Sequence, residues 1–455
     1  MHNKMMKLSR LLAAVSLLLI VIVPGQAQNF LGDARWIAMG GVSGSQKNMA
    51  LSLARGSFPG ERSYRSFPVP LGLIQVLRNP KIFDPGDPEF NPVQAMEYAA
   101  NPLHLMADRD GDDKGEQLVT DLVNGRISRD LNAYRGFTPK SDIKAQGLID
   151  SGWGKTIRFS DDNSGLLHGV YIGAGPYISI GTEVTFDQNL LNILGSNTNT
   201  YLPNSTFTIA DTTHDQFAGA ITGGYRVRVP VSGLSSAGSD QDGLYLGINY
   251  NHLQGFHYDT FDLDVRFDTD ANGLITFRPG SVPIGVSRVT SSDGRGFSID
   301  LASGLIVNRW VFGIAAHGVA NRIDWSELRS ERYELATLVN GRNFVKTTLP
   351  VPSSESRVTL PIRYTGSVAY QSNRWTAVSR VTHGLQDWEL HGGIEYSLGL
   401  IDVRTGGRYS RDLWHPSAGL GINFGERFGI DGAVYTTAAN IEQKRRPGFA
   451  LSVRF

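Results

Sequence analysis

The chain has 455 residues, 52 of them glycine and none cysteine, and 43 Lys plus Arg balance 43 Asp plus Glu to a net charge of zero. Without cysteine there is no disulfide framework, thiolate metal site, thiol nucleophile or lipid-modified N-terminal cysteine. A neutral chain offers no basic stripe for phosphates, which excludes nucleic acid as a partner.

The N-terminus has the pattern of a secretory signal. Lys4, Lys7 and Arg10 precede an apolar run from Leu11 to Val23, Pro24 breaks it, and Gly25-Gln26-Ala27 supplies small residues for cleavage. The run is short of the roughly 20 residues a spanning helix needs. Residues 1–27 are therefore expected to be removed, so that the mature chain starts at Gln28 and leaves the inner membrane.

From Asn29 to about Asp142 the sequence is irregular, broken by Pro68, Pro70, Pro80, Pro85, Pro88 and Pro92. Two short helices are expected there. Val93 to Ala100 follows an Asn91-Pro92 start, and Gly115 to Asn124 carries Leu118, Leu122 and Val123 at helical spacing. Asp108, Asp110 and Asp112, with Asp113 and Glu116, make a weak candidate for calcium. EF-hand spacing wants glycine where Asp113 stands, and a solvated acidic turn accounts for the cluster equally. No metal site is assigned.

From residue 143 to the C-terminus the texture is strand-like, with alternating polarity and turns rich in Gly, Asn, Ser and Asp. The last strand is the clearest: Phe449, Leu451, Val453 and Phe455 share one face, and Ala450, Ser452 and Arg454 the other. One face suits lipid and the other a polar, glycine-lined interior, so the expected fold is all-β: a transmembrane antiparallel barrel of about 12–14 strands. Its localisation is an outer membrane of the Gram-negative type. Arg226, Arg228, Arg363, Arg380, Arg404 and Arg408 fall on inward faces with Asp262, Asp264, Asp402 and Asp431. They either pair among themselves or leave a subset to receive an anionic head group.

Two strand assignments are open between Leu244 and Phe267. Apolar residues are even-numbered at Leu244, Leu246 and Ile248 but odd-numbered at Phe261, Leu263 and Val265. One long strand with a bulge near Gly255 explains the switch better than a hairpin. Segments 187–214, 268–294 and 322–356 are then expected to be long extracellular loops. No Gly-x-Ser-x-Gly elbow, phosphate loop or His-Glu-x-x-His motif occurs, so neither a catalytic residue nor a cofactor is expected.

Near the start of the mature chain, Ala34, Arg35, Met39, Gly40 and Gly41 form an Ala-Arg-x-x-x-Met-Gly-Gly pattern, and the last strand ends on an aromatic residue, Phe455. This resembles the FadL/TodX superfamily of outer-membrane hydrophobic-compound transporters, with its TraF-like and PorV-like relatives. The resemblance implies a barrel of about 14 strands plugged by an N-terminal hatch, here residues 28–142, with residues 143–455 as the barrel. It also implies inward movement of hydrophobic, fatty-acid-like molecules. The Ser43-Gly44-Ser45-Gln46-Lys47-Asn48 stretch departs from the acidic, Asn-Pro-containing continuation usual there. The partners expected are outer-membrane lipid, a long-chain hydrophobic ligand and, through Phe455, the barrel-assembly machinery. A non-transporting barrel that serves secretion or conjugation and a general porin are the alternatives.

Overall fold

The computed structural model describes residues 33–42, 49–54, 66–83, 104–107, 142–149, 153–160, 166–195, 202–231, 241–276, 284–335, 344–350, 355–384, 388–410, 412–425, 428–438 and 445–455, with single positions between 114 and 135. The signal segment, Asp108, Asp110 and Asp112, and the helix expected over 93–100 lie outside the described residues. Gln117 and Asp121 are helical, within the second expected helix.

The strands in chain order are β1 (Ser66–Pro68), β2 (Leu105–Met106), β3 (Asp142–Ile149), β4 (Trp153–Ser160), β5 (Leu167–Phe186), β6 (Thr206–Val229), β7 (Gly243–Thr269), β8 (Ile275–Thr276), β9 (Ile284–Ser291) and β10 (Asp293–Val307). They continue as β11 (Trp310–Ser326), β12 (Arg329–Leu335), β13 (Phe344–Leu349), β14 (Ser356–Val358), β15 (Arg363–Gln371), β16 (Trp375–His383), β17 (Glu389–Ser397), β18 (Ile401–Ser410), β19 (Leu413–Phe424), β20 (Phe428–Ala438) and β21 (Arg445–Arg454). Every ladder is antiparallel. Several wall positions are built of collinear pieces: β3 and β4 both lie along β5, β9 and β10 along β7, and β14 and β15 along β11. With β12 continuing β11 and β13 leading into β14 and β15, the described residues give thirteen wall positions from β3 to β21.

The outer edge of β21 carries a composite fourteenth position. Ser66 pairs with Arg454, the Val69 N–H donates to Leu451, Leu105 pairs with Phe449, and the Ala107 N–H donates to Pro447. Two pieces of the N-terminal region thus occupy consecutive stretches of one edge. The sheet reaches into the segment before residue 143. Among the described residues no ladder joins this edge to β3 and β4, and closure is seen instead from the interior, described below.

The facing pattern is the reverse of a soluble protein's. Large apolar side chains are on the outside, with Ile172 60%, Ile314 65% and Trp388 62% exposed, while Arg404 and Asp431 are 2% and 0% exposed inside. Lipid as the outer solvent makes that arrangement favourable. Phe449 of β21 and Phe455 just beyond it are exposed, and Ala450, Ser452 and Arg454 are buried. Phe455 stacks on Phe67 of β1, ring centroids 4.8 Å apart.

Segment 244–267 lies within the single strand β7, and Phe256 is the extra residue of a bulge: β6 pairs Phe217 with His257 and Ala218 with Gly255. The three long loops expected at the rim all contain regular structure, the first a helix and the start of β6 and the other two mainly strands. β6 begins at Thr206, β9 occupies 284–291, and β12 and β13 fill much of 322–356. Above the bulge the apolar residues Phe207, Ile209, Leu263 and Val265 are buried, as are Leu190 and Leu194 of the rim helix Gln188–Gly195. Thr- and Asp-rich strands lacking a lipid-facing row lose the apolar alternation by which strands are recognised, so these read as loops.

Candidate functional site: the barrel lumen

Two pieces of the N-terminal region sit inside the barrel. The first is a short helix, Ala34–Ala38, whose N-cap Asp33 accepts a hydrogen bond from the Trp36 N–H at 2.8 Å. It ends on Gly40 and Gly41, with φ of 75° and 84°, and the Gly41 N–H donates to Trp36 at 2.8 Å. Gly40 is also a close approach: a Cβ there would come within 2.8 Å of the Gly392 carbonyl and run into that of Gly407. Only glycine meets both conditions.

The wall is shaped to receive this helix. On β17, β18 and β19 a Cβ at Gly393 would lie 2.5 Å from the Met39 carbonyl oxygen, at Gly406 2.6 Å from the Gly40 nitrogen, and at Gly419 2.5 Å from the Ala38 Cβ. Wall side chains then satisfy the helix backbone. Ser417 Oγ accepts from the Gly40 N–H and donates to the Ala38 carbonyl, each at 3.0 Å. Ser452 Oγ accepts from the Ala34 N–H at 2.6 Å, His391 Nδ1 lies 2.7 Å from the Gly40 carbonyl, and Arg380 donates to the Gly41 carbonyl at 3.0 Å.

Charge fixes the same helix. Arg35, 6% exposed, donates from Nε and Nη2 to both oxygens of Glu395, at 2.8 and 2.6 Å. Arg404 donates to Glu395 at 2.5 Å, to Asp431 at 2.5 Å and to Asp402 at 3.1 Å, and Arg454 completes the set on Asp431. The wall contributes three carboxylates (Glu395, Asp402, Asp431) and two guanidiniums (Arg404, Arg454). Arg35 adds a third guanidinium, and the hatch also brings the buried Asp33 within reach of the Asp431 charge. Such a cluster tolerates the low dielectric because each charge is paired and hydrogen-bonded.

The second piece is the 3-10 turn Ala50–Leu53 on the opposite wall. Another row of glycines makes room: Gly169 faces Leu53, Gly247 faces Ala50, and Gly304 faces Leu51. Arg158 donates to the Leu53 and Ala54 carbonyls at 3.1 and 3.2 Å, and Arg226 donates to Ser52 Oγ at 3.2 Å. Met39, Val42, Leu51 and Leu53 pack in one apolar cluster with Tyr245, Ile306, Val311, Ala369 and Val378. Between them the two pieces reach inner faces from β4 round to β21, which places them in the middle of a wrapped sheet.

Above the turn lies a cavity of about 370 Å³. Its floor includes Met49 and Ser52, and Tyr171, Arg226, Asn249 and Asp300 are among its sides. Arg226 lies over the Tyr171 ring at 4.8 Å and donates to Asn249 at 2.7 Å. Asp300 accepts from Asn251 and from the Gly318 N–H, at 2.7 and 2.9 Å. Towards the rim is an apolar layer of Tyr177, Leu253, Tyr258, Ile323, Trp325 and Leu360. Trp325 is fully buried at its centre, stacked on Tyr258 and donating to Gln216 at 3.2 Å. A Cβ at Gly294 would lie 2.5 Å from its ring.

The six arginines expected on the inner wall are there but do not form one cluster. Arg404 belongs to the hatch network, Arg380 to the Gly41 carbonyl and Arg226 to the cavity. Arg408 is buried opposite His391 and His415, Arg363 is half-buried opposite His317, and Arg228 is half-buried lower on β6. Asp262 and Asp264 stand exposed above the bulge, away from Asp402 and Asp431. Glu395, Ser417, Ser452 and Trp325 are central to the lumen and were not singled out by sequence. The inward parity shared by Arg404 and Glu395 was the available signal for the first.

No protein-family model and no curated protein matches the chain. Among solved structures it is similar to the toluene transporter TbuX of Ralstonia pickettii, at 9% identity over 73% of this chain and 92% of that one, TM-score 0.32. It is also similar to the deltaS2S3 mutant of the monoaromatic hydrocarbon channel TodX, at 12% identity over 69% and 87%, TM-score 0.31. The siderophore receptor PirA from Pseudomonas aeruginosa follows at 8% identity over 69% and 70%, TM-score 0.24. These overlaps are partial, and the barrel rests on its own ladders and facing pattern.

Proposed function

We propose that the chain is an outer-membrane channel for hydrophobic or amphipathic small molecules, with the N-terminal hatch as its gate. The observation that carries this reading is the cavity held between two stoppers, the hatch below and the Trp325 layer above. An apolar roof above side walls that carry Arg226 suits a molecule with an apolar body and a polar or anionic end. A general porin needs a continuous watery lumen, and two stoppers weigh against it. The completeness of the Arg35 network favours a second reading, a barrel whose hatch stays shut and which serves as a scaffold in secretion or conjugation.

Extraction and mass analysis of the purified barrel separates the two. A small amphipathic molecule retained at near-equal ratio, and lost when Arg226 and Asn249 are both replaced by leucine, is the expected result. A consistently empty protein that also fails to pass a hydrophobic probe into liposomes overturns the channel reading and leaves the scaffold.

A further inference from the structure

Above the bulge, β6 and β7 place two carboxylates directly opposite each other: Asp215 pairs with the buried Asp259. Like charges at such a position repel. Arg288 of β9 relieves one of them, donating from Nε to both Asp259 oxygens at 3.0 and 2.9 Å. Asp215 gains no such partner. Its Oδ1 is buried and accepts no hydrogen bond among the described residues.

A third ligand-type side chain joins them because of the Phe256 bulge. The extra residue brings His257 opposite Phe217, onto the face that Asp215 and Asp259 share, and the Phe217 ring meets the imidazole edge-on at 5.7 Å. His257 Nε2 lies 3.7 Å from Asp215 Oδ2 and 3.9 Å from Asp259 Oδ2. Those separations are too long for hydrogen bonds. Two ligand atoms each about 2.0–2.2 Å from one tetrahedral ion stand about 3.3–3.6 Å apart, so small side-chain adjustments bring all three to an ion. One ligand atom from each residue already falls within a 4.8 Å span of the others.

We infer that Asp215, His257 and Asp259 form a site for a first-row divalent cation of the Zn²⁺ type. One imidazole nitrogen and two carboxylates suit Zn²⁺, Co²⁺ or Mn²⁺, whereas Ca²⁺ and Mg²⁺ prefer all-oxygen shells. The His257 side chain is 46% exposed, which gives an ion access from outside and leaves a coordination position for water. The ion takes up charge repulsion that Arg288, hydrogen-bonded to Asp259, relieves only in part, and it ties β6 to β7 where the bulge interrupts their ladder. This inference is independent of the channel reading.

The test is calorimetric titration of the full-length, detergent-folded protein with ZnCl₂, and with CaCl₂ and MgCl₂ in parallel. One equivalent of Zn²⁺ is expected to bind at micromolar concentration or below, with no heat from Ca²⁺ or Mg²⁺. Asp215→Asn and His257→Gln should each weaken Zn²⁺ binding at least tenfold while the gel heat-modifiability of the barrel persists. Co²⁺ in the parent should show the visible absorption of a four- or five-coordinate ion, lost in His257→Gln. Absence of Zn²⁺ heat in the folded parent, or unchanged affinity in folded His257→Gln, overturns the site. A variant that does not fold is replaced by diethylpyrocarbonate labelling of His257 in the parent, where failure of Zn²⁺ to protect the ring has the same force.

Discussion

Arg35 and Glu395, 360 positions apart in the chain, form a bidentate ion pair inside the barrel, and Glu395 is shared with Arg404 of the wall. Arg35→Ala takes from the buried Glu395 one of its two guanidinium partners among the described residues. Removing one partner of a buried pair costs about 3–5 kcal/mol, and the cost falls on hatch docking because the wall ladders do not involve Arg35. The expected variant inserts and remains heat-modifiable but has higher single-channel conductance. Arg35→Lys should be intermediate, since an ammonium cannot reproduce the two-point contact. Parental conductance in a folded Arg35→Ala barrel counts against the pair as a latch.

Gly40 and Gly41 test the seat itself. Valine at both positions meets positive φ, at about 1–3 kcal/mol each, and at position 40 it also collides with the carbonyls of Gly392 and Gly407. Hatch displacement is expected, read as proteolysis near residue 40 and altered uptake of a hydrophobic probe. A barrel that folds with both readouts unchanged removes the glycines from the gate.

Hatch docking should also depend on pH through Asp33. Burial raises its pKa above the ordinary value of 3.8, against the opposing hydrogen bond from the Trp36 N–H. A carboxyl with a raised folded-state pKa contributes docking stability that is full below the undocked value and is lost as pH rises through the docked one. Asp33→Asn keeps a capping oxygen and should hold the hatch more firmly at neutral pH. Protease protection of residues 33–42 that falls with rising pH in the parent, and stays flat in Asp33→Asn, is the expected pair of curves.

Trp325 governs the upper stopper. Replacing it with alanine removes a fully buried side chain, at about 3–5 kcal/mol, and opens the layer between cavity and rim. Probe uptake should rise while the hatch remains protease-resistant. Unchanged uptake would mean that the lumen is blocked elsewhere above the cavity.

Deleting Phe455 removes the ring that stacks on Phe67 at the end of the last strand. Synthesis and export should be unaffected and insertion reduced, measured as the heat-modifiable fraction in outer-membrane preparations. Full insertion of the deletion separates Phe455 from assembly.

The wall was legible in sequence where lipid enforces it. Phe449, Leu451 and Val453 must all face outward, so the period of two is written into the residues, and the switch at Phe256 shows as a change of parity. Near Thr206 to Asp215 the outer solvent is no longer lipid. Phe207 and Ile209 are buried there, and the intervening threonines and Asp215 hide the period. The lumen was less legible because its logic is non-local. Arg35 and Gly40-Gly41 stand out as a motif, but nothing near them names Glu395, and the glycines at 393, 406 and 419 acquire meaning only when adjacent strands align them.

The composite edge on β21 bears on how the protein is made. Ala34 is bonded to Ser452, 418 positions later, and β1 and β2 pair with the last strand synthesised. Contacts of such sequence separation form slowly, since a very long loop must close before they bring any return. β1 and β2 must therefore wait, unpaired, until β21 arrives. A ribosome that stalls before β21 yields a chain with an open sheet edge, free to pair with other chains and aggregate.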